Sequence, residues 1–157
     1  MKRDNRIKKC QQMVYKTRTE EETLQLGKEM AAGLKGGDVV LLHGGLGAGK
    51  SVFTRGIARG LGISGPVTSP TFTILNVHEG PGLKLHHFDL YRIEDPDELD
   101  EIGFDEFITD PGAVSVIEWP EVAKGLLPKD AIEIRISSED GGRKIVIGRN
   151  QGRKDSE

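Results

Sequence analysis

Val39-Val40-Leu41-Leu42-His43-Gly44-Gly45-Leu46-Gly47-Ala48-Gly49-Lys50-Ser51 is the stretch that decides the fold. Its first four residues are an unbroken aliphatic run, the pattern of a strand buried on both faces. Gly44–Ser51 then fits G-x-x-x-x-G-K-[ST] without a mismatch, and Phe53, Ile57 and Leu61 follow on one helical face until Gly62. Strand, glycine-rich turn and amphipathic helix in this order make a phosphate cradle. Glycines let backbone N–H groups converge on an anion, and the helix adds the positive end of its dipole. Leu46, Gly47, Ala48 and Gly49 supply the main chain of the cradle. Lys50 is placed to reach the β- and γ-phosphates, and Ser51 to offer a hydroxyl to Mg²⁺. The expected ligand is ATP with Mg²⁺.

Upstream, Val14–Thr17 reads as a short strand, and Thr19 with Glu22 fits a capping box. Leu24, Gly27, Ala31 and Leu34 recur at helical spacing, so a helix is expected to about Leu34, stopped by Gly36–Gly37. Downstream, Ile63–Thr71 reads as a loop. Two hairpins follow: Phe72–Val77 with Leu83–Phe88, and Ile132–Ile136 with Lys144–Ile147, each joined by a glycine-bearing connector. A short acidic helix starting near Pro96 and a strand at Val114–Ile117 lie between them. A strand–loop–helix unit calls for parallel pairing, while hairpins are antiparallel. The expected fold is therefore α/β: a three-layer, P-loop NTPase-like arrangement whose mixed parallel and antiparallel sheet is flanked by helices.

Whole-chain properties set limits on this reading. The 157 residues suffice for one core, with 36% hydrophobic and 30% charged residues. Residues 1–12 form a polar leader, 13–149 a single domain and 150–157 a charged tail, and the working start could be Met1 or Met13. Met1–Lys9 is basic but is followed by Cys10-Gln11-Gln12 rather than an apolar core, so no secretory signal is read. No apolar run approaches the ~20 residues of a membrane span, and a cytoplasmic location is expected. The single Cys10 reads as a solvated thiol. A net charge of −3, without a basic face, argues against direct, tight nucleic-acid binding. The acidic run Glu94–Glu106 is either a partner contact or a solvated face.

A nucleotide-bound Mg²⁺ usually has a carboxylate beside it at the end of a buried strand. Glu118 ends an apolar run at the carboxyl side of a strand, where ligands sit in open α/β sheets, and is the preferred candidate. Asp89 ends Leu83-Lys84-Leu85-His86-His87-Phe88, which alternates and looks half exposed, so a surface carboxylate or a helix cap is its alternative. His86 and His87 point to opposite faces of a strand and cannot share one metal. Trp119 reads as packing against the site wall. Val67–Thr71 is either a nucleotide-responsive loop or a plain linker. No N-K-x-D element exists to read guanine, and Asp100-Glu101-Ile102-Gly103 matches D-x-x-G by chance. A small-molecule kinase remains the alternative, although Arg55 and Arg59 lie on the helix after the cradle rather than on a lid.

Gly44–Ser51, Ser69-Pro70-Thr71-Phe72, His87-Phe88-Asp89-Leu90-Tyr91-Arg92 and Ile117-Glu118-Trp119-Pro120-Glu121, with Glu22–Gly27 before them, resemble in order and spacing the TsaE (YjeE) family of bacterial P-loop ATPases. The resemblance spans about Thr19 to Ile147. It implies a slow ATPase required for threonylcarbamoyladenosine at position 37 of tRNAs that read ANN codons. Such an ATPase acts on a TsaB–TsaD complex and meets tRNA only through it. It also implies that Lys50 binds phosphate, that Ser51 and Glu118 hold Mg²⁺, and that Asp89 is a second essential acid. Thr68–Phe72 would be the responsive loop, with Thr19, Glu20 and Arg143 near the adenosine end. Gly45 stands where relatives usually carry Asp or Glu, and Ser51 replaces the commoner Thr.

Overall fold

The structure, a computed structural model, describes residues 12–70 and 73–149. The expected leader up to Gln11, Cys10, the tail from Asn150, and Thr71 and Phe72 of the expected loop and hairpin lie outside the described residues.

Seven strands form one sheet: β1 (Gln12–Thr17), β2 (Val39–His43), β3 (Leu75–His78), β4 (Lys84–Asp89), β5 (Ala113–Glu118), β6 (Ile132–Glu139) and β7 (Gly142–Arg149). Their spatial order is β1-β7-β6-β2-β5-β4-β3. The four central strands pair in parallel (β6 with β2, β2 with β5, β5 with β4), while β1–β7, β7–β6 and β3–β4 are antiparallel. The mixed sheet is the one expected from a strand–loop–helix unit placed beside two hairpins.

β2 shows why the sheet has a core on each side. Val40 and Leu42 face the helices α1 (Glu20–Ala31) and α2 (Lys50–Gly60), packing with Phe53, Ile57 and Met30. Val39 and Leu41 face the opposite way, toward Phe88, Leu99, Phe104 and Ile117. That second layer is built from α3 (Asp97–Glu101) and α4 (Phe104–Ile108), separated by Gly103 at φ +74°. One acidic helix was expected here. The structure divides it into two single turns because Leu99, Phe104 and Ile108 must all reach the core. Their acidic neighbours Asp97, Glu98, Asp100, Glu101, Asp105 and Glu106 are exposed, a solvated face.

Other local readings shift for physical reasons. α1 ends at Ala31, not Leu34. Ala32, Gly33 and Leu34 donate three residues back, and this tighter turn still buries Leu34. Gly36–Gly37 therefore belongs to the entry of β2, where the Gly37 amide donates to the Ala113 carbonyl at 2.8 Å. The first hairpin starts later than expected, since Ile74 adopts φ +69° and breaks the chain ahead of β3. β4 is not half exposed. Every residue from Leu85 to Asp89 is buried, because β3 covers its edge and helices cover both faces. The second hairpin closes on Asp140 (φ +46°) and Gly141 (φ +80°), the two left-handed residues that a tight β-turn of matching twist requires.

α1 and α2 touch backbone to backbone. A Cβ on Gly27 would lie 2.5 Å from the Phe53 carbonyl oxygen, and one on Gly56 would overlap the Leu24 carbonyl. This contact sets α2, and therefore the loop before it, at a fixed height over the sheet.

Candidate functional site

β2, β4 and β5 all end at the same edge of the sheet. Parallel pairing aligns Leu42 with Glu118 and Asp89 with Glu118, so the two acids expected from separate stretches are neighbours in register. The chain leaves β2 through Gly44–Gly49 and enters α2 at Lys50. Gly47 (φ +77°) and Gly49 (φ +105°) take the left-handed conformation that side chains resist. Gly49 caps α2 with no side-chain hydrogen bond, which leaves the first helical amides available to an anion.

A cleft of about 560 Å³ opens over this edge. Its walls include Thr19 and Glu20 from the start of α1, Leu46 to Ser51 from the loop and helix, Asp89, Glu118, Trp119, and Arg143 from β7. Thr19, Glu20, Leu46 to Ser51, Asp89, Glu118 and Arg143 are thus brought to one cavity, together with Ser69, whereas Val67, Thr68 and Pro70 of the expected responsive loop do not line it. The structure adds Arg18, Tyr91 and Arg92, which sequence reading left unassigned. Arg55 and Arg59 are not among the lining residues, and Arg59 Nη1 instead donates to the carbonyls of Ile63 (2.8 Å) and Gly65 (3.0 Å).

Lys50 is the central group. Its side chain is only 6% exposed, and its Nζ has no hydrogen-bond partner. The nearest charge is Glu118 Oε1 at 3.9 Å, and the Trp119 ring lies beneath, 3.9 Å from Nζ to its centroid. Burial lowers the Lys50 pKa from the ordinary 10.5, against the opposing pull of Glu118, Asp89 and Glu121. Burial of an ammonium that has one carboxylate at 3.9 Å and no hydrogen bond is unfavourable unless a further anion joins it. An uncapped helix terminus beside a buried cation without a hydrogen-bond partner suits a phosphate group, so the residues present fit the expected ligand.

Glu118 is 4% exposed, and its Oε2 sits 2.6 Å from His87 Nε2. Asp89 Oδ1 accepts the Tyr91 amide at 3.0 Å, and Asp89 is 9% exposed, so it is neither a surface carboxylate nor the cap of a helix. Ser51 is exposed at the first turn of α2. Among the described residues no three His, Cys, Asp or Glu side chains are grouped to hold a metal. A Mg²⁺ here would take Ser51 and Glu118 with phosphate oxygens completing its shell, as that ion prefers.

Trp119 does more than pack. It takes φ +55°, unusual for a bulky residue, which turns its ring under Lys50 and against Tyr91, with ring centroids 4.9 Å apart. Arg143 reaches across from β7, and its Nη2 donates to the Gly47 carbonyl at 3.1 Å. Thr19 caps α1 by accepting the Glu22 amide at 3.1 Å, while Glu22 accepts the amide of Arg18 at 2.9 Å, one residue before the Thr19 amide that a capping box would use. A side chain at Gly45 would meet nothing within 4 Å, so glycine there is not imposed by packing.

The adjacent histidines separate as strand geometry requires. His86 Nδ1 lies 3.1 Å from the Phe107 carbonyl on the far face, while His87 turns to Glu118. Sequence reading left His87 without a role. Its signal was its place two residues before Asp89, on the same face of β4.

A model of the family described as threonylcarbamoyl adenosine biosynthesis protein TsaE matches residues 17–145, which contain all of these groups. The tRNA threonylcarbamoyladenosine biosynthesis protein TsaE of Bacillus subtilis is 43% identical over 137 residues, covering 87% of this chain and 85% of that one. The proteins of the same name from Rickettsia conorii (39% over 128 residues, covering 81% and 72%) and Streptomyces coelicolor (42% over 120 residues, covering 74% and 80%) are similar too. The crystal structure of YdiB from Bacillus subtilis superposes with a TM-score of 0.75 at 37% identity, covering 87% of this chain and 84% of that one. With the family model matching residues 17–145 and relatives about 40% identical over most of its length, the chain belongs to the TsaE family.

Proposed function

We propose that this chain binds ATP with Mg²⁺ in the cleft and hydrolyses it slowly. That turnover serves formation of threonylcarbamoyladenosine at position 37 of tRNAs reading ANN codons, through a cytoplasmic TsaB–TsaD complex that alone meets the tRNA. The observation that carries the reading is Lys50 Nζ, buried without a hydrogen-bond partner beside an uncapped helix terminus and two buried carboxylates. Family membership supports the pathway. Among the described residues no helix is long and apolar enough to cross a membrane.

Each residue then has a defined task. Loop amides from Leu46 to Gly49 and the first amides of α2 hold the phosphate oxygens. Lys50 neutralises charge that grows on the β–γ bridge as the terminal phosphoryl leaves. Ser51 and Glu118 hold Mg²⁺, which supplies charge neutralisation to the phosphates when bound. Asp89, next to Glu118 in register, orients a water for attack. Thr19, Glu20 and Arg143, which line the same cleft, take the nucleoside side.

The direct test measures ATP hydrolysis by the purified chain with and without Mg²⁺, alone and with TsaB–TsaD, and co-purification of the three in ATP, ADP or no nucleotide. Deletion of the gene should remove threonylcarbamoyladenosine from bulk tRNA. Normal modification in the deletion strain refutes the pathway, and transfer of labelled γ-phosphate to a small hydroxyl compound replaces the ATPase with a kinase.

A further inference from the structure

His87 is almost wholly buried, on a face of β4 otherwise given to the apolar packing of Leu85, Val114 and Val116. Only one of its two ring nitrogens is used. Nε2 lies 2.6 Å from Glu118 Oε2, whereas Nδ1 is buried with no partner. Histidines that serve only to fill a core are normally satisfied at both nitrogens, and an orphaned one calls for an explanation. The contrast with His86 is direct: both of its nitrogens face polar atoms, Phe107 O at 3.1 Å and Asp110 Oδ2 at 3.9 Å.

The geometry points to His87 as a positioning residue that fixes the Glu118 carboxylate so that Oε1 alone faces Lys50 and the cleft. This rests on the ATP reading above. An ionised carboxylate only accepts, so the bond places an imidazole proton on Nε2, and in the neutral ring Nδ1 then carries none. With Oε2 held from behind, the torsion that would rotate the carboxylate is stopped. Glu118 Oε1, 3.9 Å from Lys50 Nζ, is then presented in one orientation. Asp89 has a separate anchor, the Tyr91 amide, so His87 acts on one acid of the pair and not on the other. Groups that orient a ligating side chain from behind typically contribute 10–100-fold to metal affinity or activity.

Two substitutions separate orientation from packing. His87→Leu keeps apolar volume and removes the donor, while His87→Gln returns an N–H near the position of Nε2. Trp119, the sole tryptophan, lies beside Glu118 and reports binding by fluorescence. For His87→Leu, ATP affinity in EDTA should stay within about twofold, since the loop and Lys50 are untouched. The gain in affinity on adding Mg²⁺ should fall by about 10–100-fold, with kcat reduced more than KM. His87→Gln should recover most of both. Wild-type Mg²⁺ dependence in folded His87→Leu overturns the inference, as does a His87→Gln protein no better than the Leu variant. Should neither variant fold, long-range ¹H–¹⁵N spectra of the unaltered chain decide: a proton on Nε2 with bare Nδ1 supports it, and the reverse tautomer refutes it. Failure of the unaltered chain to bind ATP at all is a different result, and it removes the ATP reading itself.

Discussion

Replacing Lys50 with Met keeps most of the side-chain volume and deletes a buried cation of the cleft whose Nζ has no hydrogen-bond partner. In the empty protein this should cost little. Burial outweighs the pull of Glu118, Asp89 and Glu121 on the ammonium, and the 3.9 Å separation from Glu118 is too long for a hydrogen bond. Glu118 keeps its 2.6 Å contact with His87. The melting temperature without nucleotide should therefore be unchanged or raised. With nucleotide the two proteins diverge. Lys50 is placed to contact two phosphates, and each charge-assisted hydrogen bond contributes about 1.5–3 kcal/mol, so affinity should fall by about 3–6 kcal/mol. At ATP·Mg²⁺ one hundred times the wild-type Kd, binding adds ~2.7 kcal/mol of stability. For a chain of this size that is a rise of roughly 5–11 °C. The same concentration on Lys50→Met, even at the weak end of the loss, leaves a shift of about 1 °C or less. Differential scanning fluorimetry with and without ATP·Mg²⁺ reads both quantities in one experiment. An equal nucleotide-induced shift in the two proteins refutes the assignment of Lys50. A large fall in the nucleotide-free melting temperature shows that its buried cation is structural.

Glu118→Gln should retain ATP binding in EDTA and lower the hydrolysis rate at least tenfold, measured by phosphate release. Full activity would remove Glu118 from the site. Gly56→Ala should destabilise the fold by about 1–3 kcal/mol in urea, because its Cβ has no room against the Leu24 carbonyl of α1. His78 gives a pH test. Burial, and then the nearby His87, lower its pKa below 6.5, so the unfolded chain takes up its proton first as the medium acidifies. Stability from this group is complete above pH 6.5 and is lost as pH falls toward the folded-state value. His78→Asn should flatten that part of the stability–pH curve, and an unchanged slope counts against the assignment.

Local signals told the most in this chain. The Val39–Ser51 stretch announces strand, loop and helix because each of those states is set by neighbouring residues: β-branched burial, glycine torsions and helical spacing. The Thr19 cap of α1 and the Asp140-Gly141 turn were legible for the same reason. Hairpins beside a parallel unit even implied a mixed sheet. What sequence could not supply was adjacency across long separations. His87 meets Glu118 from 31 positions away, and Arg143 meets Gly47 from 96 positions away. Asp89 alternates with apolar residues as a half-exposed strand would, yet it is buried because β3 and the helices close over β4. The strand–loop–helix form around Lys50 was thus written in consecutive residues. The pairing of its acids, the anchoring of Glu118 and the burial of Lys50 beside Glu118 without a hydrogen bond arise only when parallel strands from distant segments end at one edge of the sheet. Burial and hydrogen-bond partners belong to the folded neighbourhood rather than to any one stretch of chain.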